Sequence, residues 1–209
     1  MDQEPRDEAP LVESAAKDSD LRAKVERAIL DAPQPVRKLL SKAGPFTVRP
    51  IAGETAGYLH EEVVLEMRAN TARDIITHEL GHHVDWQLGM NTGTVSADAS
   101  SIIGKGIVRQ IDYFSRVVTN EELRIGFRTQ VRASGNLFLE DLFGALTLNK
   151  VGGGHADSYW TGPHGAKHRV REVFANLFTL YSTGNWSRVK RLLPEIAEAF
   201  ELWIESELL

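Results

Sequence analysis

Cysteine is missing from all 209 residues. Its absence excludes disulfides, thiolate metal sites and cysteine nucleophiles, and it leaves the redox compartment open. Positive charge is not in excess either: 24 Lys and Arg stand against 29 Asp and Glu, a net charge of −5. The basic footprint of a nucleic-acid-binding surface is therefore missing, and no helix-turn-helix module accompanies the chain. No apolar run approaches the roughly 20 residues that span a bilayer. The N-terminal "MDQEPRDEAP" is acidic and has no apolar core, so no Sec-type signal is visible. The expectation is a chain that is cytoplasmic as synthesised, with any export using a route that reads no classical signal. No internal repeat appears.

Apolar residues at 42% and charged residues at 25% make an ordinary globular composition with enough length for one core. Residues 1–17 read as a solvated acidic tail and 18–209 as a single domain. "SDLRAKVERAILDA" reads as a helix with Leu21, Val25, Ala28 and Ile29 on its apolar stripe, and "PQPVRKLLSKAG" as a second, started by Pro35 and stopped by Gly44. "PFTVRPI" (45–51) is a proline-bounded strand, which favours a sheet edge or a strand end. "EEVVLEMR" (61–68) is a strand with Val63, Leu65 and Met67 on one face. "NTARDIITHELGHHVDWQLG" is a helix with Thr71 and Asp74 as a capping box, Gly89 as its stop and Ile75, Ile76, Leu80 and Val84 as its buried side. From 90 to 163 the pattern weakens, with two helical stretches and a glycine-rich loop, "KVGGGHADSYWTGPHG", of the kind that forms sites. The chain ends in helices. The class is α+β, mostly α, with a small mixed sheet packed on one helix and a helical C-terminal part.

That one helix carries the chemistry. His78 and His82 lie four residues apart, so both imidazoles project from one face about a turn from each other, close enough to bind one ion. Glu79 is rotated by about 100° and can reach a metal-bound water without being a ligand. His-Glu-x-x-His is the zincin signature, with two nitrogen ligands, an open position and a carboxylate base; the bland alternative is a histidine-rich surface helix. His83 cannot share the ion and reads as a ring packed on the flank. Asp85 returns to the metal-facing stripe, where it either steadies a ligand ring or is a plain helix-end acid.

A third protein ligand is needed. The metzincin extension would put a glycine at 85 and a histidine at 88, where this chain has Asp85 and Leu88. The candidates are His155, His164, His168, Asp157 and Glu172. Glu172 sits at the rim of the buried face of "HRVREVFANLFTLY", a place that suits a ligand or an ordinary boundary acid. His155 and Tyr159, flanking the glycine-rich turn, are the candidate donors to a developing oxyanion, against a default of loop packing. His60 reads as exposed.

"HELGHHVD" followed at a distance by "REVFANLF" resembles the gluzincin metallopeptidases. It is most similar to the lethal-factor-type group and to the zincin-like domains of phage head-morphogenesis proteins and bacterial polymorphic toxins, whose phage-type members share a motif like "GGGHADSYW". The resemblance implies a zincin-like fold, Zn²⁺ held by His78, His82 and Glu172, and Glu79 as general base. It also implies that Asn176, four residues after the glutamate, steadies a histidine ligand. The strand before the active-site helix should be an exposed edge, which would make Val63, Val64, Leu65 and Glu66 backbone contacts for an extended substrate. The expected function is a zinc-dependent endopeptidase acting on a protein or peptide, in a phage or toxin-delivery setting that includes virion or secreted locations. The alternative is a virion or toxin-associated interaction protein with a degenerate or structural metal site.

Overall fold

The computed structural model describes residues 12–14, 19–53, 56–89 and 93–209. Strand β1 (Val12–Ser14) is followed by helices α1 (Ser19–Leu30) and α2 (Gln34–Ala43), then strands β2 (Phe46–Pro50), β3 (Gly57–Leu59) and β4 (Val64–Met67). Helix α3 (Arg73–Leu88) carries the histidine motif. After it come α4 (Ile102–Val117), α5 (Glu121–Ala133), α6 (Leu137–Thr147), the short α7 (Asp157–Thr161), α8 (Gly165–Ser182), α9 (Trp186–Leu192) and α10 (Pro194–Leu208). The molecule is mostly helical with one small mixed sheet, the α+β class read from the sequence. Among the described residues no helix is long and apolar enough to cross a membrane.

The sheet order is β1-β2-β4-β3, with β1, β2 and β4 parallel and β3 antiparallel to β4. Three sequence expectations change here. Most of residues 1–17 lie outside the described residues, but Val12–Ser14 are not tail: they pair with Phe46–Val48, and Val12 is 2% exposed. β2 is an interior strand and not an edge, while the strand-end alternative holds, since Pro50 is its last residue. β4 is interior too, with β2 on one flank and β3 on the other. Leu65 and Met67 are fully buried as the alternation predicts, whereas Val63 precedes the strand in a left-handed turn at φ 55.

Helix α8 is the central element. Val173, Phe174, Ala175, Leu177, Phe178 and Leu180 all have zero exposure, as do the polar Asn176 and Thr179 between them, so this part of the helix is wrapped by its neighbours on every side. The helices of the weakly patterned region are set by local caps: Ser101, Asn120 and Asn136 accept from the backbone N–H groups of Gly104, Leu123 and Leu139. α3 starts differently from expectation. The Thr71 hydroxyl accepts from the Arg68 N–H at 3.0 Å, closing the turn out of β4, and Ala72 takes the cap position with no side-chain bond. Ile75 is 41% exposed, because the buried side of α3 is occupied by Ile76, Leu80 and Val84 and by polar residues.

Candidate metal centre and catalytic cleft

Helices α3 and α8 cross at two small residues. A β-carbon at Gly81 would stand 3.0 Å from the Ala175 Cα and 3.2 Å from the Phe178 Cβ, so the backbones approach closely at this point. Glu172 lies one turn before Ala175 on α8, and His78 and His82 flank Gly81 on α3. The crossing therefore aims one carboxylate at two imidazoles. His78 Nε2 lies 3.2 Å from Glu172 Oε2 and His82 Nε2 lies 3.7 Å from Glu172 Oε1. The ligand atoms of the three residues all lie within 4.8 Å of one another, and the group can hold a metal ion. The donor set fits such an ion. Glu172 Oε2 is buried without a hydrogen-bond partner, and two imidazole nitrogens with one carboxylate suit a borderline divalent cation.

Electrostatics binds the group together. Burial would lower His78, but the Glu172 carboxylate beside it, together with Glu79 and Asp141, outweighs burial and holds it up at about 9. Burial pushes His82 down to about 3. Burial would raise Glu172, yet the neighbouring His82, His155 and His78 hold it well below the ordinary carboxylate range. Glu79 is 7% exposed and faces the same cleft. Burial pushes it up to about 7, partly offset by His78 and by a hydrogen bond from the Tyr58 backbone. A carboxylate poised near neutrality suits proton transfer.

The cleft has a volume of about 550 Å³. One wall is β3 with Ala56, Gly57, Tyr58 and His60; the others are α3, α8 and the glycine-rich loop with α7. That loop lies tightly on α6: a β-carbon at Gly154 (φ 124) would fall 1.8 Å from Asp141 Oδ1, so only glycine fits. Asn149 then ties the loop, its amide donating to the His155 carbonyl at 2.8 Å and to Asp157 Oδ1 at 2.7 Å. His155 Nε2 consequently stands 3.6 Å from Glu172 Oε2 and 3.9 Å from Asp141 Oδ2. The ring of His155 stacks on Tyr159 with centroids 4.2 Å apart, and the Tyr159 hydroxyl donates to Glu172 Oε1 at 2.7 Å.

Of the third-ligand candidates, Glu172 converges on both histidines of α3. His168 lines the cleft but has Nδ1 at 3.2 Å from the Tyr159 carbonyl and its ring against Tyr159. His164 stands at the start of α8 without a side-chain capping bond, and Asp157 is engaged by Asn149. Four expectations need correction. Asp85 steadies no ligand ring: its carboxylate accepts from the Ser96 N–H and hydroxyl, both at 2.7 Å, and anchors the chain after α3. Asn176 does not serve the histidines: its Oδ1, the atom that would accept from a ring, has no partner, and its amide nitrogen donates to Asp141 Oδ2 and the Glu172 carbonyl at 2.8 Å each. Val63, Val64, Leu65 and Glu66 offer no open backbone edge, because β4 is paired on both flanks; the strand at the sheet's edge beside the cleft is β3. His60 is half-buried in the cleft wall, its ring 4.8 Å from that of Trp86. His83 is a structural ring as expected, fully buried between the Tyr58 hydroxyl and the Gly44 carbonyl at 3.1 Å each.

Sequence reasoning missed Asp141. It contributes to a second group of potential ligands with His155 and Glu172. The available signal was an acid inside the strongly apolar "LFLEDLFGALT". No family model matches this chain, and no curated protein or solved structure is significantly similar to it.

Proposed function

We propose that the chain is a zinc-dependent endopeptidase of gluzincin type with a zincin-like fold. The observation that carries the reading is the convergence of His78, His82 and Glu172 from two helices, with Glu79 beside them in one cleft. His78, His82 and Glu172 would hold the ion, and its bound chemistry is Lewis acidity that lowers the pKa of a water to near 7 and polarises a carbonyl. Glu79, raised to about 7, accepts a proton from water at its carboxylate and returns it to the departing amide nitrogen. His155 is pushed up in pKa by the Glu172 carboxylate, against burial, and serves with Tyr159 as a donor toward developing negative charge. Asp141 and Asn149 are positioning residues for His155. An extended peptide lies along the outer side of β3 in place of a fifth strand.

A structural site in an interaction protein is the competing reading. Glu79 weighs against it, because a buried, proton-accepting carboxylate turned into an open cleft serves no structural ion. The test is metal analysis of the purified chain combined with casein hydrolysis. One zinc per chain with chelator-sensitive cleavage supports the peptidase; bound zinc without hydrolysis supports the interaction protein.

A further inference from the structure

Beyond its three converging ligands and base, the cleft holds, among the described residues, one permanently charged cation. Arg171 lines it one residue before Glu172, and no other described residue that lines it is an Arg or Lys. Among the described residues it makes no ion pair and no hydrogen bond. Its guanidinium carbon lies 5.7 Å from the Trp86 indole centroid, and its charge also acts on buried Asp85, whose carboxylate it pulls down against burial, and on His60 and His82. Trp86 is half-buried on α3, one turn beyond His82, with its other ring contact to His60. A guanidinium supported on an aromatic face keeps its five N–H donors in a fixed plane and loses little freedom on binding a partner. The acids that share the cleft, Glu79 and Glu172, face the metal group and do not pair with it.

We propose that Arg171, held by Trp86, is a specificity determinant that receives a carboxylate of the peptide substrate beside the scissile bond. The carboxylate belongs to an Asp or Glu side chain or to the peptide's own C-terminus. The planar fork matches two carboxylate oxygens, and a half-buried cation with no hydrogen-bonded partner gains more from that pairing than a solvated one would. A peptide with Gln in place of Glu leaves the fork without its charged partner. Because this inference rests on the peptidase reading, its test reads binding separately from cleavage.

The experiment measures fluorescence anisotropy of fluorescein-labelled hexapeptide pools on zinc-loaded chain carrying Glu79→Gln. The pools have fixed Glu, fixed Gln or fixed Lys with amidated ends, and a fourth has fixed Gln with a free C-terminal carboxylate. The Glu pool should bind about tenfold more tightly than the Gln pool. That ratio should fall to about one in Arg171→Gln, and Arg171→Glu should favour the Lys pool. Tighter binding of the free-acid Gln pool than of its amide assigns the C-terminus as the source; equality of those two assigns the side chain. Equal binding of all pools, or a Glu preference that survives Arg171→Gln, overturns the proposal. Cleavage of the same pools by the wild-type chain is scored in parallel. A Glu preference in binding with no cleavage would overturn the peptidase reading and leave the carboxylate site standing.

Discussion

Gly81→Ala adds one methyl group at the helix crossing, and its consequences follow from three contacts. The new carbon would stand 3.0 Å from the Ala175 Cα, 3.2 Å from the Phe178 Cβ and 3.3 Å from the Ala175 carbonyl oxygen. Carbon atoms settle at about 3.5–4.0 Å, so α3 and α8 must part by about half an ångström. Two of these contacts are backbone atoms, which cannot turn away as a flexible side chain would. Overpacking of this kind costs about 1–3 kcal/mol, while alanine returns about 1 kcal/mol over glycine in a helix interior. The metal-free protein should lose at most about 2 kcal/mol, a fall in melting temperature of no more than about 4–8 °C. The larger effect is on the site. Metal–ligand bonds tolerate about 0.2 Å, and the displaced helix carries Glu172 while the other carries His78 and His82. Zinc affinity should drop by at least about tenfold. Competition with a chromophoric chelator measures the affinity, and melting curves with and without zinc measure the stability. Zinc affinity at the wild-type level would refute the argument that this crossing positions Glu172.

Glu172→Ala should abolish tight zinc binding, whereas His168→Ala should keep one zinc per chain by metal analysis, because His168 is spent on Tyr159. Imidazoles bind zinc only as free bases, and with His78 held at about 9 a proton must leave as the metal enters. Apparent affinity should therefore rise by about tenfold per pH unit from pH 6 to 8 and level off above pH 9; a flat profile by chelator competition would contradict the pairing of His78 with Glu172. Ser96→Ala removes a hydroxyl donor from buried Asp85 and should cost about 1–3 kcal/mol in chemical denaturation while leaving zinc affinity unchanged, since Asp85 serves the chain after α3 and not the ligands.

Legibility in the sequence followed the range over which each residue acts. The faces of α3 obey helix periodicity, so Ile76, Leu80 and Val84 and the pairing of His78 with His82 are local facts. Glu172 was one of several candidates by position and was singled out through resemblance, because the small residues that bring α8 onto α3, Gly81 and Ala175, leave no periodic trace. Asp141 was marked only as an acid within an apolar helix: its role arises when Gly152–Gly154 fold back onto α6, a contact that no spacing rule encodes. β3 is three residues long, below the length at which alternation is readable, and its pairing converts β4 from an edge into an interior strand. Thr71 misled because a hydroxyl at a helix start can serve the preceding turn as readily as the helix.

The most direct test of the central claim compares the wild-type chain with Glu79→Gln, each loaded with zinc, by mass-spectrometric counting of new peptide N-termini in a cell-extract proteome. Both proteins should carry one zinc, and termini should accumulate with wild type at least about a hundredfold faster than with the variant. Equal accumulation by the two proteins, or none by a zinc-loaded wild type, would contradict a peptidase in which Glu79 is the base.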